Sequence, residues 1–166
     1  MKIEEFNEKM NENLKELDIE LSEKQLKQFY DYMNILIEWN KVMNLTNIIE
    51  PEEVIKKHFI DSLTVLKHIK EDDSIIDVGT GAGFPGIPIK IAYPKTKITL
   101  LDSLNKRINY LNEIIKELKK EFRPELINRI DEIIVFHKLE NREIIDIAKI
   151  IIPAIIIKYP PIFNDT

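Results

Sequence analysis

All four glycines of the chain fall between Gly79 and Gly86. The stretch Asp77-Val78-Gly79-Thr80-Gly81-Ala82-Gly83-Phe84-Pro85-Gly86 follows a short apolar run, Ser74-Ile75-Ile76, and leads into Ile87-Pro88-Ile89-Lys90-Ile91-Ala92. It therefore reads as strand, glycine loop, helix. A backbone made this permissive at one place only lets something approach it closely, and a plain turn would use fewer glycines. The helix ends at Tyr93-Pro94, and a second strand from Lys97 to Leu101 finishes in Asp102. An acid thus stands roughly 20 residues past the glycines, the position at which a nucleotide-binding fold holds a ribose.

Register decides what the loop can hold. The pattern G-x-G-x-x-G occurs at Gly81, Gly83 and Gly86, yet the first glycine after the strand is Gly79, where a dinucleotide fingerprint should begin. Asp77, at the strand end, would face a pyrophosphate and repel it, whereas it suits a cofactor that presents a cationic amine. S-adenosylmethionine presents one. In that reading Gly79, Gly81 and Gly83 pass against its methionine portion, Asp77 helps hold the amine, and Asp102 accepts hydrogen bonds from both ribose hydroxyls. The chain has no Gly-Lys-Ser/Thr sequence, so a phosphate-binding P-loop is excluded.

Composition narrows the remaining classes. With 166 residues, 44% of them apolar, the chain has the length and core of one domain. Its net charge of -5 leaves any contact with nucleic acid to a local patch. There is no cysteine, and His58, His68 and His137 are scattered, so no metal site is expected. The N-terminus is too polar for a signal peptide, and the longest apolar stretch, 150–157, is far short of the ~20 residues of a membrane span. A cytoplasmic monomer without membrane contact is the expectation.

Along the chain, residues 3–17 read as a polar helix. Ser22 and Gln25 form a capping box that opens a longer helix, whose stripe is Leu26, Phe29, Tyr30, Met33, Leu36 and Ile37, with Lys24, Lys27, Asp31 and Glu38 left wet. Trp39-Asn40-Lys41-Val42-Met43-Asn44-Leu45-Thr46 ends it, and Pro51 starts the next helix at its first turn. Within His58-Phe59-Ile60-Asp61-Ser62-Leu63, either Asp61 or Ser62 is expected to cap a new helix, and His58 to be a packed side chain. After Asp102, Ser103 is the expected cap of a helix carrying Ile108, Leu111, Ile114, Ile115 and Leu118 on one face. Strands and helices alternate from residue 74 to about 120, which predicts a parallel sheet. The fold class expected is α/β, with a helical cap over 1–70, a βαβα unit over 71–120 and an atypical segment over 121–166.

Four motifs in order carry a family resemblance: Trp39-Asn40 with Asn44-Leu45-Thr46; His58 to Leu63; the glycine stretch 77–88; and Asp102-Ser103-Leu104-Asn105-Lys106-Arg107. Over about residues 1–118 the chain resembles the RsmG/GidB family of small-subunit ribosomal RNA guanine-N7 methyltransferases. The resemblance implies a class I, Rossmann-like methyltransferase fold, S-adenosylmethionine as cofactor and a guanine of ribosomal RNA as substrate. It also implies that Gly79 and Phe84 contact the cofactor, with Phe84 lining the pocket. No catalytic residue is assigned, because guanine N7 has a free lone pair and needs no general base. Lys56, Lys57, Lys106 and Arg107 are candidates to meet phosphates.

Beyond residue 118 the family's later motifs find no counterpart, so the back half of its sheet is expected to be truncated or replaced and its turnover impaired. Residues 121–152 instead resemble part of the second ATPase module of Clp-type AAA+ unfoldases, in which Arg129 matches an arginine finger. With no nucleotide loop in the chain, that finger has nothing to reach. Periodicity there predicts helix over 123–130, strand over 132–137, helix over 141–151 and a short strand over 154–158. Two other readings stand beside the enzyme: an inactive cofactor-binding module, and an interaction fragment derived from an unfoldase.

Overall fold

The computed structural model describes residues 1–120 and 130–135. These lie in a first compact unit, Met1–Val135. The helix expected over 123–130 lies outside the described residues except for Ile130, which opens a strand; the segments expected over 141–151 and 154–158, and Arg129, lie outside them too.

Helix α1, Ile3–Lys15, buries Phe6, Met10 and Leu14, three side chains at four-residue steps. Helix α2, Glu23–Met43, opens with the expected capping box: the Ser22 side chain accepts from the Gln25 backbone, and the Gln25 side chain accepts from the Ser22 backbone. Gln25 then does a second task. Its Nε2 donates to the carbonyls of Ile91 and Ala92 at 2.9 and 3.0 Å, satisfying the open end of a helix 66 and 67 residues away. The buried face of α2 is Leu26, Gln28, Phe29, Tyr32, Met33 and Leu36. Tyr30 and Ile37 flank it half-buried, so the stripe is rotated toward Gln28 and Tyr32 relative to the expected one. Asn44 ends α2 with φ 49°, a left-handed conformation that asparagine tolerates better than most residues.

The next segment corrects an expectation. Neither Asp61 nor Ser62 caps a new helix, because the backbone stays helical from Pro51 to His68: α3 at Pro51–Val54, a π-helical stretch at Ile55–Ile60, α4 at Asp61–Leu63 and a 3-10 turn at Thr64–His68. Asp61 has φ -56° and ψ -46°, and the buried Ser62 hydroxyl donates to the His58 carbonyl at 2.5 Å. Asp61 and Ser62 thus both lie inside the helical run. A π-helical stretch inside an α-helix widens the turn and re-aims the side chains around it.

The sheet has three parallel strands in the order β1-β2-β3, namely Ser74–Val78, Lys97–Asp102 and Ile130–Val135. Asp77 pairs with Leu100, and Leu101 pairs with Ile134. The strand expected over 132–137 therefore exists and begins two residues earlier. Helix α5, Gly86–Ala92, connects β1 to β2, and α6, Asn105–Lys120, follows β2. Ser103 does not cap α6. The helix opens one residue later, with Leu104 accepting from the amides of Arg107 and Ile108, while the Leu104 amide is bonded to Asp102 Oδ1 at 2.9 Å. The buried face of α6 includes Tyr110, Leu111, Ile114 and Ile115.

One apolar core joins the helical layer to the sheet. Phe59, completely buried, packs among Phe6, Phe29 and Tyr32 with ring centroids 6.4, 5.0 and 5.4 Å away. Burying each such ring stabilises the fold by about 1.5 to 3 kcal/mol. On β1 the side chains alternate, with Asp77 buried and Ile76 and Val78 exposed on the other face.

Candidate functional site

The glycine loop is built by β1, α5 and the end of β2. The amides of Gly79 and Thr80 both donate to the Leu101 carbonyl, at 2.9 and 3.0 Å, which prolongs the β1-β2 ladder into the loop. Gly79, Gly81 and Gly83 have φ of 77°, 60° and 100°, a region that L side chains rarely adopt. The fourth glycine is there for a different reason. Gly86 has no positive φ; a Cβ on it would run into the Leu100 side chain and come within 2.8 Å of Asp77 Oδ2. It lets α5 sit against the sheet.

Asp77 and Asp102 close the loop from two sides. Asp77 is 7% exposed, and its Oδ2 accepts from Thr80 Oγ1 at 2.6 Å and from the Gly86 amide at 2.9 Å. Burial raises its pKa most; the charge of Asp102 adds to that, and the bonds from Thr80 and Gly86 act against it. Asp102 is 1% exposed. Its Oδ2 accepts from the Gly81 amide at 2.9 Å and from the Arg107 guanidinium at 3.3 Å, and its Oδ1 accepts from Leu104. Arg107 is thus an ion-pair partner of the strand-end acid.

The loop's donors are turned inward. Gly83 and Phe84 amides bond the Thr80 carbonyl at 2.8 and 3.0 Å, so Gly79, Thr80, Gly81, Gly83, Phe84 and Gly86 all spend their N–H groups inside the loop. A loop that cradles phosphate points these groups at the ligand. This one instead offers bare glycine Cα positions: a Cβ on Gly79 would meet nothing within 4 Å, and one on Gly81 only the Gly79 carbonyl at 3.8 Å. Open backbone flanked by two carboxylates favours a ligand that is flat-sided there and cationic.

All six residues singled out in the sequence, Asp77, Gly79, Gly81, Gly83, Phe84 and Asp102, meet in this loop or at its anchors. Phe84 is half-buried between two rings, Tyr32 at 5.4 Å and His58 at 4.4 Å with planes only 9° apart. His58 is packed as expected, and its Nε2 shares a hydrogen with Thr46 Oγ1 at 2.9 Å. Tyr32 was missed because its place on the helix gave no sign that its hydroxyl would reach the loop; its Oη donates to the Ala82 carbonyl at 2.6 Å. Lys57 is paired with Glu53 on its own helix, while Lys56 and Lys106 are exposed. Among the described residues there is no group of three or more acids or histidines that could hold a metal, and no helix long and apolar enough to cross a membrane.

A parallel sheet whose first strand ends in a glycine loop and whose second ends in a buried acid is a Rossmann-like arrangement, the one class I methyltransferases share. The family model described as GidB, rRNA small subunit methyltransferase G, matches residues 25–150, and the chain belongs to that family. Ribosomal RNA small subunit methyltransferase G of Lachnoclostridium phytofermentans is 51% identical over 139 residues, covering 82% of this chain and 57% of the relative. That of Desulforamulus reducens is 60% identical over 106 residues, 63% of this chain and 44% of its own. That of Clostridium botulinum (strain Loch Maree) is 46% identical over 146 residues, 87% and 60% respectively. The chain therefore spans about half the length of the curated relatives it matches. The family match runs on to residue 150, through the stretch that resembled a Clp-type unfoldase; that likeness gains no support from it.

Proposed function

We propose that the chain binds S-adenosylmethionine across the open side of the glycine loop and methylates guanine N7 of small-subunit ribosomal RNA, acting as a cytoplasmic monomer. The observation that carries this reading is the pair of buried carboxylates, Asp77 and Asp102, flanking a loop in which the amides of Gly79, Thr80, Gly81, Gly83, Phe84 and Gly86 are bonded within the protein. The residues present fit the cofactor: Gly79 and Gly81 leave room against the backbone, Asp77 brings negative charge toward an amine, and Asp102 offers lone pairs to ribose hydroxyls. Phe84 lines the pocket wall beside them. When bound, the cofactor supplies an electrophilic methyl on a sulfonium.

This chain's own work is then orientation. Guanine N7 carries a free lone pair and loses no proton, so no general base is required, and holding the two reactants in line supplies most of the rate. Lys106 and Arg107, beside the strand-end acid, are the side chains suited to meet RNA phosphates. The relatives' shared name, a small-subunit ribosomal RNA methyltransferase, supports the substrate. No observation favours the inactive module or the unfoldase-derived fragment.

The test is incorporation of labelled methyl from S-adenosylmethionine into guanine N7 of small ribosomal subunits, beside a full-length relative. Label at that atom is the expected result, at a rate below the relative's. Tight cofactor binding without any label would leave only the inactive module.

A further inference from the structure

We propose that Tyr32, on the helical cap, is a positioning residue for the cofactor loop, setting the Ala82-Gly83 peptide through its hydroxyl and Phe84 through its ring. This rests on the reading that the loop holds S-adenosylmethionine. Tyr32 is completely buried, its hydroxyl donates to the Ala82 carbonyl at 2.6 Å, and its ring lies 5.4 Å from that of Phe84 at 26°. The approach is close enough to dictate sequence: a Cβ on Gly83 would lie 2.7 Å from the Tyr32 hydroxyl oxygen. Gly83 is therefore a glycine for its φ of 100° and because Ile87 and Tyr32 both crowd the place a Cβ would take.

The loop is held from opposite sides. Asp102 holds the Gly81 amide from the sheet, and Tyr32 holds the next carbonyl from the cap. His58 also stacks on Phe84, at 4.4 Å, and is itself tied to Thr46 at 2.9 Å. Gln25, lower on the same helix, grips the carbonyls at the end of α5. Helix α2 thus fixes both ends of the loop-helix unit. Because the loop's glycines have no side-chain preference of their own, their geometry must come from outside, and ordering them before the ligand arrives lowers the cost of binding.

Tyr32→Phe keeps the ring and removes only the hydroxyl. In the unliganded full chain we expect amide hydrogen exchange at Gly81 and Gly83 to become about tenfold faster, with little change at the centre of α2. Calorimetry should then show S-adenosylmethionine bound about tenfold more weakly than by the wild type. His58→Leu, which removes the stack but not the hydroxyl, should loosen Phe84 and weaken binding in the same direction. Unchanged exchange in Tyr32→Phe overturns the proposal, and so does faster exchange with unchanged affinity, which would make Tyr32 structural only. A wild-type chain that binds no S-adenosylmethionine sinks the cofactor reading, while the exchange rates still decide whether Tyr32 orders the loop.

Discussion

The backbone N–H of Gly81 donates to Asp102 Oδ2 at 2.9 Å, across 21 residues of sequence. The acid at the end of β2 therefore shapes the glycine loop at the end of β1. Asp102 already accepts from Gly81, Leu104 and Arg107. A carboxylate has about four lone-pair positions, so under the proposed binding mode two ribose hydroxyls would have to share them or displace a donor. Arg107, at 3.3 Å the longest of these contacts, is the donor that yields most easily.

Two glycines separate binding from folding. Gly81→Val places a β-branched side chain at φ 60° on the open side of the loop, and should abolish S-adenosylmethionine binding while helical content by circular dichroism stays near wild type. Gly86→Val drives its side chain into Leu100 and Asp77, and should lower the melting temperature markedly, by the ~1 to 3 kcal/mol that overpacking costs or more. Cofactor binding retained by Gly81→Val would contradict this division, whatever the strain at φ 60° costs in stability.

Asp77→Asn tests the charge at the site without opening the loop. An asparagine carbonyl can still accept from Thr80 and Gly86, so the melting temperature should hold or rise, since the buried charge is removed. Cofactor affinity should fall at least tenfold, as expected for loss of a charge-assisted contact of about 1.5 to 3 kcal/mol. Because the Asp77 pKa is raised, the wild type should also bind more weakly as pH falls through that raised value and the carboxylate takes up a proton. In Asp77→Asn that part of the pH dependence should vanish. Titration calorimetry from neutral pH downward measures both, and full affinity in the variant would remove Asp77 from the site.

His58 links pH to stability. Burial is the larger influence on its ring and lowers its pKa below the ordinary value of 6.5, with Asp61 opposing. The unfolded chain then takes up the proton first as pH falls, so this contribution to stability is whole above 6.5 and is lost from there down to the folded pKa. Thermal melts from pH 7.5 to 5.5 should show a fall that is reduced in His58→Phe. The same fall in the variant would assign it to other groups.

Much of the site was legible because its signals are local and irreplaceable. Glycines at positive φ have few substitutes and an acid closing a strand stands out, so Gly79, Gly81, Gly83 and Asp102 are candidates that spacing alone picks out. The Ser22-Gln25 box was likewise visible, although nothing local disclosed that Gln25 also reaches Ile91 and Ala92. What sequence misjudged was set by tertiary contact. Ser62 has the chemistry of a cap, yet the helix runs through it because its hydroxyl is satisfied by the His58 carbonyl and the flanking Phe59 and Leu63 are buried. Ser103 lost the cap position to Leu104 because Asp102 supplies the needed acceptor from within the strand. Tyr32 shares the helical period of Phe29, Met33 and Leu36, and period alone does not choose between it and Tyr30; its contacts with Phe59 and with Phe84, 52 residues away, settle that choice.

The most direct measurement is calorimetric titration of the wild-type chain and Asp102→Ala with S-adenosylmethionine, each confirmed folded by circular dichroism at the working temperature. The account predicts one site in the wild type and at least tenfold weaker binding in the variant, which loses the ribose acceptor and frees the Gly81 amide together. Equal affinity in the two proteins, or no binding by the wild type, would contradict it.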